Sequence, residues 1–108
     1  MSFLQLQHIP EEKLRAEIIR TSLKMNALGI YQGKSGNVSA RTENGFLVTP
    51  TGIPYEETKP AQIVAMRMDG THEGEVLPSS EWRFHRDIYA ARADVGAIVH
   101  TQDRKSVV

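Results

Sequence analysis

The feature that most constrains this chain is the way turn signals cut its middle into short apolar runs. Asn44-Gly45 stands between the runs 38–41 and 46–49. An Asn-Gly pair tolerates the positive backbone angles of a tight hairpin, so these runs read as two antiparallel strands. Asp69-Gly70 repeats the signal after 63–68, with 71–76 as a weak, polar partner strand. Hairpins this tight leave no room for crossover helices. A repeated strand–helix–strand wind is therefore disfavoured.

One helix precedes the strands and another interrupts them. Pro10 suits a first helical turn, and Glu11 and Glu12 favour its positive end. Leu14, Ile18, Met25 and Leu28 recur at helical spacing, widened by Ala16, Ile19 and Leu23. This predicts an amphipathic helix over 11–28, stopped by Gly29. Farther on, Pro78 ends what comes before it, and Ser79 and Ser80 suit helix caps. Glu81 then falls in the first turn. Trp82, Ile88, Tyr89, Ala90 and Ala91 supply an apolar side for a helix from Ser80 to about Arg92. Lys59-Pro60-Ala61-Gln62 fits a single helical turn, and 95–100 reads as a buried strand ending in His100. The order predicts an α/β or α+β domain with a mainly antiparallel sheet.

Composition narrows the function. A chain of 108 residues suits one small domain. Lys plus Arg number 13 and Asp plus Glu number 13, so nothing favours nucleic acid or an anionic membrane as partner. There is no cysteine, so a metal would be held by His, Asp or Glu. No apolar run reaches the ~18 residues of a membrane span. The first ten residues lack a charged start followed by an apolar core, so a cytoplasmic location is expected.

Three loops have the make-up of a small anion site: Gly36-Asn37, Thr51-Gly52 and Ser79-Ser80. Glycine lets backbone N–H groups approach a ligand, and Asn, Thr and Ser add side-chain donors. Ser79 and Ser80 also stand at a helix start, where free N–H groups and the dipole attract phosphate. Each feature also serves a plain turn or cap. Lys34 in the glycine-rich loop 31–37 adds a positive charge. His8 and His72 suggest no role. His85 lies four residues after Glu81 on one helix face, which suits either a metal pair or, more commonly, a surface or core contact. His100 ends a strand in which position 102 points the same way. A second histidine there would begin a zinc site, but the residue is Gln102.

Taken together, Ser35-Gly36-Asn37-Val38-Ser39, the run 45–55, the run 77–85 and Ala97-Ile98-Val99-His100-Thr101 resemble the class II aldolase family, also called the aldolase/epimerase or adducin-head family. The likeness spans Pro10 to Thr101 and favours the sugar-phosphate aldolase branch. It implies a three-layer αβα fold with a mainly antiparallel central sheet. It implies that Gly36, Asn37, Thr51, Gly52, Ser79 and Ser80 hold the substrate phosphate. Glu81 becomes the catalytic acid/base and a metal ligand, and His100 the first zinc histidine. The implied reaction is that of a carbon–carbon lyase, splitting a sugar phosphate into dihydroxyacetone phosphate and an aldehyde. Zinc is the implied cofactor, one per subunit of a homotetramer.

The chain also departs from that family. Its members continue for about as long again and carry His where Gln102 stands, and Lys34 replaces a small hydroxyl residue. Residues 1–108 thus read as one partial domain with an incomplete zinc site, inactive by itself, with apolar sheet edges left open. Asp103 to Val108 followed by a stop is what GATCGGAAGAGCGTCGTGTAG encodes, a string resembling a common sequencing adapter. On that reading 103–108 are a non-native tail and Gln102 is a broken His codon; the alternative is a real frameshift or degenerate gene. An epimerase, dehydratase or decarboxylase on the same scaffold, or a non-catalytic adducin-head-like domain, are the alternatives.

Overall fold

The computed structural model describes residues 9–28, 36–100 and 105–107. In chain order its elements are helix α1 (Glu11–Ala27), strands β1 (Asn37–Arg41) and β2 (Gly45–Val48), single tight turns of helix at Tyr55–Glu57 and Pro60–Gln62, strand β3 (Val64–Arg67), helix α2 (Trp82–Ala91), and strands β4 (Ala97–His100) and β5 (Lys105–Val107). The strands form one sheet in the order β3-β2-β1-β4-β5. Every neighbouring pair is antiparallel.

Side-chain alternation sorts this sheet into two buried faces. Strand β2, Gly-Phe-Leu-Val, is buried at every position, which requires cover on both sides. Leu47 packs with Val38, Ala40 and Ile63 against Leu14 and Ile18 of α1. Phe46 and Val48 face the other way, with Val64, Met66, Val95 and Ile98 against Tyr89 of α2. One helix on each face makes the expected three-layer αβα arrangement. Neither Asn44 nor Gly45 takes the positive φ expected of the pair, so what demands glycine at 45 is its neighbour. A Cβ there would come within 1.9 Å of the Met66 carbonyl oxygen.

Some local readings change. Pro10 stands just ahead of α1, its carbonyl accepting the Leu14 N–H at 3.0 Å. The buried stripe of α1 is Leu14, Ile18 and Ser22. Leu28, expected on that face, is 64% exposed. Ser22 fits the apolar layer because its hydroxyl donates to the Ile18 carbonyl at 2.8 Å and so brings no unmet polar group. Gly29, the lead-in 1–8 and most of the loop 31–37 lie outside the described residues. The polar run 71–76 is no strand. His72 makes one bridge to Met66, and the Glu73 N–H reaches the Ala65 carbonyl at 3.0 Å. Gly74 then turns the chain at φ 76°. Among the described residues no helix is long and apolar enough to cross a membrane.

What aligns α2 with the sheet is a polar seam on β1, where Asn37, Ser39 and Arg41 alternate onto the α2 face. Arg41 donates through Nε to the Val95 carbonyl at 2.8 Å. Its Nη2 reaches the carbonyls of Tyr89 at 2.9 Å and Arg92 at 2.7 Å. The guanidinium also lies 4.7 Å from the Tyr89 ring centroid. It therefore satisfies the open carbonyls at the end of α2 and sets a cation at the negative end of the dipole. Arg41→Ala is expected to lower unfolding stability by about 2–3 kcal/mol, the loss of hydrogen bonds from a charged donor, read from urea midpoints. Arg92→Ala removes only an exposed pair with Asp94 and should leave the midpoint essentially unchanged.

Candidate active site

The start of β1 and the end of β4 lie side by side, with Asn37 opposite His100 in the register. Two further segments are tied to that end of the sheet. Pro50 faces Pro78 in an isolated bridge. Neither proline can donate a hydrogen bond, so the flanking residues hold the bridge. The Ser79 N–H reaches the Thr49 carbonyl at 2.9 Å, and the Thr51 N–H reaches the Leu77 carbonyl at 3.1 Å. The Tyr55 hydroxyl donates to the Gly36 carbonyl and fastens the loop before β1. Gly52 turns at φ 74° with nothing within 4 Å of where a Cβ would stand, so backbone conformation is what calls for glycine here.

These ties leave a cleft of about 970 Å³, within the size range of small-ligand sites. Gly36, Asn37, Thr51, Gly52, Ser79, Ser80, Glu81 and His100 all line it. The eight residues that the family resemblance assigned to the site therefore line one cleft. Asn26, Tyr55 and Glu56 also line it, and sequence reasoning assigned them nothing. Asn26 donates to the Glu56 carboxylate at 2.8 Å, a contact between segments that no local pattern signals. Lys34 and Gln102 lie outside the described residues.

The serines act differently from the helix caps expected of them. Ser79 Oγ accepts the Glu81 N–H at 3.2 Å, and the Ser79 carbonyl accepts the Trp82 N–H at 3.0 Å. Ser79 is thus a turn residue. Glu81 stands ahead of α2 at φ −91°, ψ 13°, not in its first turn, and makes no side-chain cap. The reason is the Thr49 tie: it holds Ser79 in an extended segment, so 79–81 must bend the chain into the helix. This frees the Glu81 carboxylate, 51% exposed, and the exposed Ser80 hydroxyl for the cleft.

His100 supplies the least satisfied group. Its Nδ1 is buried without a hydrogen-bond partner among the described residues. The ring stacks on Phe84, centroids 4.5 Å apart and planes 28° apart. Glu81 Oε2 is 4.0 Å from Nδ1. An orphaned buried imidazole nitrogen is costly unless a ligand takes it. A tetrahedral ion with bonds of about 2 Å to each would need the two atoms about 3.3 Å apart, so the exposed Glu81 carboxylate would have to close by less than about 1 Å to share an ion with His100. No group of three or more His, Asp or Glu side chains comes together among the described residues. The residues present therefore fit two ligands of an imidazole–carboxylate centre.

His85 turns out to be a core contact and not a partner of Glu81. It is fully buried. Its Nε2 meets Asn37 Oδ1, its Nδ1 lies 2.6 Å from Ser39 Oγ, and Ser39 Oγ lies 2.7 Å from the Tyr89 hydroxyl. Burial first, and then the nearby His100, lowers its pKa from 6.5 to about 3. Sequence reasoning missed the parts of Ser39 and Tyr89. The signal was there in the spacings, two residues from Asn37 to Ser39 on a strand and four from His85 to Tyr89 on a helix. Because the folded chain holds His85 neutral and the unfolded chain does not, this contribution is complete above about pH 6.5. It is lost as pH falls toward 3, by about 1.4 kcal/mol per pH unit. Urea midpoints between pH 7.5 and 4.5, without divalent ions, should fall more steeply for the unsubstituted chain than for His85→Gln.

The family model described as "Class II Aldolase and Adducin N-terminal domain" matches residues 16–108. The chain is 52% identical over 88 residues to an L-fuculose phosphate aldolase of Escherichia coli strain K12, covering 82% of the chain and 41% of that relative. It is 47% identical over 89 residues to a 5-methylthioribulose-1-phosphate/5-deoxyribulose-1-phosphate aldolase of Escherichia coli O45:K1, covering 82% of the chain and 42% of the relative. A solved L-fuculose 1-phosphate aldolase superposes with a TM-score of 0.78 at 36% identity, over 83% of this chain and 45% of that one. The chain spans well under half the length of these proteins.

Proposed function

Because the chain belongs to the class II aldolase and adducin N-terminal domain family, we propose that it is the amino-terminal part of a metal-dependent sugar-phosphate aldolase. The reaction is reversible cleavage to dihydroxyacetone phosphate and an aldehyde. One observation carries this reading: three donor-bearing loops share a single cleft with the orphaned His100 nitrogen and the Glu81 carboxylate. L-Fuculose 1-phosphate is the first substrate to test. The similarity to the methylthioribulose-phosphate enzyme makes 5-methylthioribulose 1-phosphate the second.

In this reading the phosphate lies among Gly36, Asn37, Thr51, Gly52, Ser79 and Ser80. The described lining carries no Lys or Arg, so neutral donors and the α2 terminus do the binding. Glu81 takes a proton from the carbon beside the ketone and returns it in the reverse sense. Its exposed carboxylate, free of any capping duty, is suited to that task. His100, steadied by Phe84, and Glu81 would hold the metal, zinc being the expected ion. Once bound, the ion supplies Lewis acidity to the ketone oxygen. The remaining ligand histidines, one of them in place of Gln102, come from the intact enzyme, a cytoplasmic homotetramer. Residues 1–108 are then one partial domain whose last six residues, 103–108, are a non-native tail, so the β5 pairing with β4 belongs to this chain and not to the intact enzyme.

The test uses source DNA read through codon 102. That codon should encode His, and the frame should continue to a further histidine. The resulting enzyme should release dihydroxyacetone phosphate from a ketose 1-phosphate, while the 108-residue chain should not. In that enzyme Glu81→Gln should lower kcat by about 10²–10⁴, the usual reach of a general acid/base. Unchanged kcat would remove Glu81 from the chemistry. A genuine Gln102 followed by a stop after Val108 would remove the enzyme claim for this molecule.

A further inference from the structure

The cleft reading leaves one buried histidine without a role. His85 does not line the cleft, has no exposed surface, and yet touches Asn37, which does. Given the Asn37 amide orientation of this structure, the hydrogen bonds around it take one direction. Asn37 turns its carbonyl oxygen, an acceptor only, toward His85 Nε2. Nε2 must then carry the proton and donate. A neutral imidazole has one N–H, so Nδ1 is an acceptor. Ser39 therefore donates its hydroxyl proton to Nδ1 across 2.6 Å. With that proton committed, Ser39 Oγ accepts from the Tyr89 hydroxyl across 2.7 Å.

The consequence falls on Asn37. An asparagine amide can turn by half a rotation with little change of shape, presenting either its oxygen or its NH2 group. With the oxygen pinned on His85, the NH2 group is the face left for the cleft. Had Asn37 the opposite orientation, it would offer a carbonyl oxygen to an anion and repel it. We infer that His85, through the chain Tyr89–Ser39–His85, is a positioning residue that holds the Asn37 amide as a hydrogen-bond donor toward a phosphate-class ligand. The inference rests on the anion-site reading proposed above and deepens it. It assigns the donor state of one residue to a relay from the α2–sheet core. The elements supplying it are rigid: Ser39 and Asn37 on β1, His85 and Tyr89 on α2.

The experiment uses the 108-residue chain with inorganic phosphate as the probe. Heteronuclear NMR of histidine ring nitrogens on the unsubstituted chain reads the tautomer directly, and the Asn37 side-chain amide signals read the ligand. The expected result is His85 in the Nε2–H form and an Asn37 NH2 signal that shifts as phosphate is added. His85→Phe keeps the ring volume but removes both hydrogen bonds. It should weaken phosphate binding about tenfold, the loss expected of one hydrogen bond to an ionic ligand. His85→Gln keeps an amide donor for Asn37 Oδ1 and should restore much of the affinity, which a merely space-filling role would not require. Asn37→Asp should abolish binding. An Nδ1–H tautomer at His85, read without any substitution, overturns the inference even if the Phe variant does not fold. Equal phosphate affinity in His85→Phe and the unsubstituted chain overturns it and leaves the anion site standing. No phosphate binding by the unsubstituted chain overturns the anion-site reading and the inference with it.

Discussion

A histidine with no exposure, set between a sheet and a helix, must satisfy both ring nitrogens from its immediate neighbours. His85 does so with Asn37 and Ser39, adjacent members of one face of β1. That pairing works in one register only, because a shift by one residue would turn Val38 to α2 and Asn37 to α1. The register also sets Asn37 opposite His100. The contact that orients α2 on the sheet is therefore the contact that assembles the two ends of the cleft. Arg41, two positions on, closes the other end of α2 by the same alternation.

The cleft combines two kinds of chemistry, and its described lining carries carboxylates but no Lys or Arg. One side offers hydroxyls, a glycine turn and an amide. The other offers a carboxylate and an imidazole nitrogen with no partner. The side suited to anions has no Lys or Arg to neutralise a phosphate fully, while Glu81 and Glu56 add negative charge nearby. A divalent ion beside Glu81 would offset that charge and strengthen anion binding that the neutral donors already provide. The length that the relatives add beyond this chain is where further ligands are to be sought.

Much of this was legible because it is local. Asn44-Gly45 announced the hairpin, and the observed register closes on it. The spacing of Leu14 and Ile18 announced α1, while the layering of helices on both faces of the sheet came from the family resemblance and not from strand alternation. The loops at Gly36, Thr51 and Ser79 were visible by composition. What was not legible depends on distant partners. Ser79 has the chemistry of a cap, but the Thr49 carbonyl holds its N–H and makes it a turn. Ser22 was assigned nothing from the sequence, and its place in the buried stripe depends on its bond to the Ile18 carbonyl. The run 71–76 has strand-like length, but Gly74 and its charged neighbours end the pairing after one bridge. His85 could have faced Glu81 or the core, and only the position of β1 decides between them.

The most direct test is a structure of the chain soaked with dihydroxyacetone phosphate. The cleft reading predicts the phosphate oxygens within hydrogen-bond distance of Asn37, Thr51 and Ser80, and the ketone oxygen turned toward Glu81 and His100. Dihydroxyacetone phosphate bound on the α1 face of the sheet, or bound in the cleft with its phosphate against His100, would contradict it.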